Sequence, residues 1–145
     1  MIEVTLQHGM NSYGALALIS FASVLCQTTR DLSGETKIDE FCKISKLGMD
    51  ILENQYDPAE VLDVRARSIL GYYGLVAPFT LPLQTCACKL KAGLQTGLSA
   101  GDFIGAFMNI IQHIRLQILA GSHLGALLSG KMANQSTWLI DAYNR

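Results

Sequence analysis

The sequence is short of charge. Asp, Glu, Lys and Arg make up 16% of its 145 residues, against about 25% in an average soluble domain. The deficit is uneven: 15 of the 23 charged residues lie between Arg30 and Arg67, one precedes them (Glu3), and seven are spread over the 78 that follow. The signs nearly cancel, 11 basic against 12 acidic. That removes the electrostatic footprint needed for nucleic acid or an anionic membrane surface. Charge-poor stretches at both ends of a chain that is half hydrophobic suggest faces meant for neighbouring segments, and hence a piece of something larger.

Catalytic and metal-binding patterns are also missing. The four cysteines stand at 26, 42, 86 and 88. Cys86-x-Cys88 is not the Cys-x-x-Cys spacing of a zinc or redox site, and no second pair or nearby His completes a ligand set. On a helix these two side chains point about 200° apart, which puts Cys86 in the core and Cys88 nearer an edge. Met1-Ile-Glu-Val lacks the basic start and apolar run of a secretory leader. Reduced thiols and a cytoplasmic location are therefore expected, and the sequon at Asn134 carries no meaning. His8, His113 and His123 are scattered, with no Ser, Cys or carboxylate placed to form a triad, and His113-Ile-Arg115 reads as a polar helix edge. Gly125-Ala-Leu-Leu-Ser-Gly130-Lys131 follows the phosphate-loop pattern until Met132 replaces the Ser or Thr that would bind magnesium. It also lies in a helical run rather than between strand and helix. We expect no catalytic residue, no cofactor and no metal. A small-ligand domain using Lys131 and its glycines is a minor alternative.

Periodicity reads as helix throughout. Asn11-Ser12 offers cap chemistry for a first helix over about 13–29, apolar nearly all round as if packed on several sides. A second, about 36–54, is the clearest amphipath, with Ile38, Phe41, Cys42, Ser45, Gly48, Met49 and Leu52 in one stripe. Asp57-Pro-Ala-Glu60 has the form of a capping box with Pro at the first helical position, opening a third helix to about Leu75. Pro78 and Pro82 then impose a bend. Leu83, Cys86, Ala87, Leu90, Leu94 and Gly97 line one face of a fourth helix, and Ser99-Ala-Gly-Asp102 has capping-box form for a fifth. Gly93, Gly97, Gly101 and Gly105 recur every fourth residue across this corner, small enough to let two helix backbones approach. The fifth helix, 101–120, carries a stripe of Phe103, Phe107, Ile110, Ile114 and Ile118, widened by Ile104, Met108 and Ile111. Gly121 ends it, Ser122 can cap a sixth that ends near Gly130, and 135–143 forms a final turn or helix. First members of successive pairs start near 13, 58 and 101, a spacing within the range of helical repeats.

Two uncharged stretches, Val4–Thr29 and Ser68–Cys88, raise an integral membrane protein with short spans as the alternative. Polar Gln7, His8 and Asn11 leave the first with an apolar core of only about 14 residues, short of the roughly 20 that a span needs. Two prolines break the second.

The order of landmarks resembles a known family. His8-Gly-x-x-x-Tyr-Gly14 opens an apolar helix, Asp57-Pro-Ala-Glu60 leads into Tyr72-Tyr-Gly74, and Pro78-Phe-Thr-Leu-Pro-Leu83 follows. Gly93-Leu-Gln-Thr-Gly-Leu-Ser-Ala-Gly-Asp102 comes next, and Ala120-Gly-Ser-His-Leu124 closes the run. Over roughly residues 8–128 this is similar to the helical-repeat region of large multi-sensor signalling kinases. In that family a Ser/Thr-kinase-like domain and an ATPase domain precede the helices, and GAF and histidine-kinase modules often follow. Val76-Ala-Pro78-Phe stands here where a Trp and basic residues are expected. The resemblance implies an all-α, tetratricopeptide-like solenoid segment of about six helices over 1–145, with hairpins at about 9–55, 57–97 and 99–134. It also implies a non-catalytic scaffold and protein-interaction role, with flanking domains or another protein as partner. The chain has no Gly-rich kinase loop, His-Arg-Asp or Asp-Phe-Gly.

Overall fold

A computed structural model describes residues 11–28 and 38–122, and the described chain is all-helical. The phosphate-loop-like run, His8, His123, the sixth helix and the closing segment lie outside the described residues. The first helix, α1 (Ser12–Thr28), starts where Asn11 caps it: the Asn11 side-chain oxygen accepts from the Gly14 amide at 2.7 Å. It buries Ala15, Ile19, Ala22, Ser23 and Cys26. The expectation of packing on several sides holds in part: the helix meets more than one later element, but Tyr13, Phe21 and Val24 are all more than half exposed. Helix α2 (Ile38–Asn54) buries Phe41, Ser45, Gly48, Met49 and Leu52, the stripe read from its periodicity. Ile19 of α1 sits against Gly48 so closely that a Cβ there would lie 2.8 Å from Ile19 Cγ1.

The capping box at Asp57–Glu60 is not formed. Asp57 Oδ1 accepts from the Ala59 amide at 2.8 Å, and the Glu60 amide donates to the Asp57 carbonyl. These bonds close a tight turn instead of a first helical turn. Helical bonding begins with Arg65 N to Val61 O, and α3 spans Leu62–Ile69. The chain then widens into a π-helical segment, Leu70–Val76, and tightens into a 3₁₀ turn, Ala77–Phe79, before Pro82 precedes α4 (Leu83–Ala100). The periodicity of a continuous third helix hides this π segment. Its carbonyls find other donors: Gly71 O accepts from Ser23 Oγ of α1 at 3.2 Å. Tyr72 and Tyr73 meet edge-to-face with centroids 4.7 Å apart, and Lys89 of α4 lies 5.7 Å from the Tyr73 ring centre.

Helix α4 continues three residues past Gly97. It stops at Gly101, whose φ of 72° lets the Asp102 amide reach Gly97 O and the Gly101 amide reach Leu98 O, a Schellman closure. Ser99 is therefore inside α4, its hydroxyl donating to Gln95 O, and the expected Ser99 box is corrected. Asp102 is the cap of α5 (Phe103–Leu119), accepting from the Gly105 amide at 3.0 Å. Gly121 ends α5 as expected, at φ 77° with the Ser122 amide on Gln117 O.

The main core joins α1, α2, α3 with its π extension, and α4, and Leu116 of α5 reaches into it; a smaller one, Leu94, Ala106 and Ile110, joins α4 to α5. Helix α1 packs on α2, the α3–π segment on α4, and α4 on α5, while α1 and α5 each also touch the α3–π segment.

Candidate interaction surface

Helix α5 is held from beneath by polar contacts and small residues. Asn109, wholly buried, donates from Nδ2 to Ala66 O of α3 and to Gly105 O, both at 2.8 Å. Its Oδ1 has no hydrogen-bond partner and faces Gly93 of α4. His113 Nδ1 meets Ala87 O at 2.8 Å; a carbonyl only accepts, so Nδ1 carries the proton. A Cβ on Gly97 would lie 2.8 Å from the Ala106 amide nitrogen, so the α4 and α5 backbones are in close approach.

At its N-terminus α5 is tied to α3 by an ion pair. Arg67 Nε and Nη2 donate to Asp102 Oδ2 and Oδ1 at 2.9 and 3.2 Å. The Arg67 bond, aided by the Gly105 amide, holds the Asp102 carboxyl below its ordinary value. Nearby, Tyr13 of α1 donates its hydroxyl to Asp63 of α3, and that bond raises the Tyr13 hydroxyl's pKa.

With these contacts underneath, α5 presents the wrong residues outward. Of the five residues in the expected stripe only Ile110 is buried. Phe103, Phe107 and Ile118 are about half exposed, as are Ile104 and Leu119 or more so, and Met108 and Ile111 are more than a third exposed. The helix is apolar nearly all round, so periodicity could not tell its buried face from its outer one. The buried face is marked by small and polar residues, Gly105, Ala106 and Asn109, together with Ile110 and Leu116, and most of the large side chains stand opposite. Beside this face runs a groove of about 710 Å³ between α1, the α3–π segment and α5. Leu16, Val24, Leu70 and Met108 line it, with Ser20 and Arg67 among its few polar groups.

The residues considered for chemistry scatter. Cys86 is fully buried in the core and Cys88 is exposed. Burial raises the pKa of Cys86, and of Cys42 despite the Thr80 hydrogen bond. Burial also pushes Tyr72 up to about 12 and raises Tyr73. Among the described residues no group of His, Cys, Asp and Glu could hold a metal ion. No described helix is long and apolar enough to cross a membrane. Sequence reading missed Asn109 and the Arg67–Asp102 pair. The first had a visible signal, a lone amide in the run Phe103–Ile111.

Comparison of the chain with family models, with curated proteins and with solved structures gives no significant match.

Proposed function

We propose that the chain is a non-catalytic helical scaffold and protein-interaction segment, of the kind that links modules in multi-sensor signalling kinases, acting in the cytoplasm. The single observation that carries the reading is the outer face of α5. A helix apolar on all sides belongs in an interior, and this one has more than a third of each of seven large apolar side chains in solvent. A face of that kind works when something covers it. The neighbour relations support a stacked-repeat arrangement: α1, α3 and α5, the first members of the three expected hairpins, lie side by side. In a solenoid each repeat buries its apolar face on the next, so a terminal repeat without a neighbour exposes one. The tetratricopeptide-like form and a six-helix total belong to this proposal.

The test is the DNA on either side of the coding stretch. The reading predicts ATPase and kinase domains in frame with it. Stop codons on both sides, with no such domains adjoining, would contradict it.

A further inference from the structure

We infer that the outer face of α5 is a self-association surface, and that its occupant is α5 of a second copy of this chain, packed antiparallel about a two-fold axis. The inference deepens the scaffold reading and rests on it, naming the partner of the same face.

Area is the first reason. A half-exposed Phe offers roughly 100 Å², so the seven apolar side chains of the face together present about 700 Å². That exceeds the largest apolar patch of a typical monomer, about 300–600 Å², and approaches the ~800 Å² per partner of a standard interface.

Charge is the second. A two-fold contact sets each residue against the same surface, so any concentrated charge would oppose itself. This face carries no carboxylate, and Arg115 is the one charged side chain on α5. Place the axis level with residue 111, midway along the face, and Phe103 and Ile104 of each copy meet Leu119 and Ile118 of the other. The Arg115 side chain then comes level with Phe107, whose half-exposed ring suits a guanidinium. The two Arg115 side chains stand eight residues of helical rise apart, about 12 Å, beyond the ~8 Å screening length at physiological salt. A single basic residue placed away from the axis thus tolerates the pairing and fixes its direction.

The test is sedimentation equilibrium of the full 145-residue chain across a concentration series, with Ile111→Glu and Ile118→Glu on the face and Leu47→Glu, on α2, as a control. Leu47 is 54% exposed and remote from the face in sequence. Far-UV circular dichroism and thermal melting verify that each variant is folded. The wild type is expected to sediment as a dimer, twice the 15.8 kDa monomer. Each Glu variant on the face should weaken association at least about 100-fold, as burying an unpaired charge at both symmetric positions does; Leu47→Glu should leave it unchanged. A wild type that stays monomeric up to about 100 μM, a concentration at which even weak specific dimers form, overturns the inference. So does a dimer that Leu47→Glu weakens as much as Ile111→Glu. Either result removes a second copy as the occupant of the face. The scaffold reading is then still decided separately by the flanking DNA.

Discussion

The side-chain oxygen of Asn109 stands where a side chain on Gly93 would begin: a Cβ on Gly93 would overlap Oδ1. The two positions are sixteen residues apart on consecutive helices, and Asn109 requires the glycine. The amide fits only because Gly93 has no Cβ, and Oδ1, without a hydrogen-bond donor, rests over the glycine backbone.

Asn109→Ala should destabilise the fold by about 2–3 kcal/mol, since it strips the side-chain donor from the buried Ala66 carbonyl and opens a small void. Gly93→Ala should cost a similar amount in the wild type. In the Asn109→Ala background its clash with Oδ1 is gone and only the contact with Ile69 Cγ2, at 2.8 Å, remains. A double-mutant cycle by urea denaturation should therefore show about 1–2 kcal/mol of coupling. Strict additivity would contradict the contact.

Gly97 and Gly101 should respond differently to alanine. At Gly97 the new Cβ meets the Ala106 backbone at 2.8–3.0 Å, which cannot give way without parting the helices. The ~1 kcal/mol gained in helix propensity is outweighed by an overpacking cost of about 1–3 kcal/mol. At Gly101 nothing lies within 4 Å, and only the left-handed backbone is strained, at about 1–2 kcal/mol. Gly101→Asn should recover part of that loss, whereas Gly97→Ser should recover nothing, and melting temperatures separate the two cases.

The helical class was legible because amphipathic spacing and glycine stops are local signals. The α2 stripe and the terminating glycine at 121 were read directly. The start of α3 was not, because Asp57 had a competing bond to the Ala59 amide that motif form does not reveal. Ser99 failed for a related reason: Gly101, two residues on, closes α4 by a Schellman turn and leaves Asp102 to cap. The faces of α5 were not legible, since a helix apolar all round has no preferred side until its neighbours are in place. Gly93 and Gly97 chose the side, by admitting only Asn109 and Ala106 against them.

Acid should loosen the α3–α5 tie. The Asp102 carboxyl is held below its ordinary 3.8 by Arg67 first and by the Gly105 amide as well. A carboxyl lowered in the folded state contributes stability that is fully present above pH 4 and lost as pH falls through its folded value. Arg67 is more than half exposed, so the ion pair itself counts for little in salt, and the cap supplies most of the effect. Asp102→Ala should cost about 1–2 kcal/mol at pH 7. The gap from wild type should shrink in denaturation curves below pH 4; a constant gap would contradict the assignment.

Alkali should act on the π segment. Burial pushes Tyr72 from 10.0 to about 12, so its neutral form is favoured by folding. The stability this provides is complete below pH 10 and is lost as pH rises towards 12. Absorbance titration near 295 nm should show a late component, and Tyr72→Phe should remove its latest part. If all tyrosines ionise together near pH 10, with the protein still folded, Tyr72 is not buried as described.

If the outer face of α5 is a covered contact surface, hydroxyl-radical footprinting across a concentration series detects the cover. Phe103, Phe107 and Met108 report on the face, and Leu47 of α2 is a reference of comparable exposure. Oxidation at the three face residues should fall as concentration rises, while Leu47 is unchanged. Oxidation at Phe107 that follows its own exposure at every concentration would contradict it.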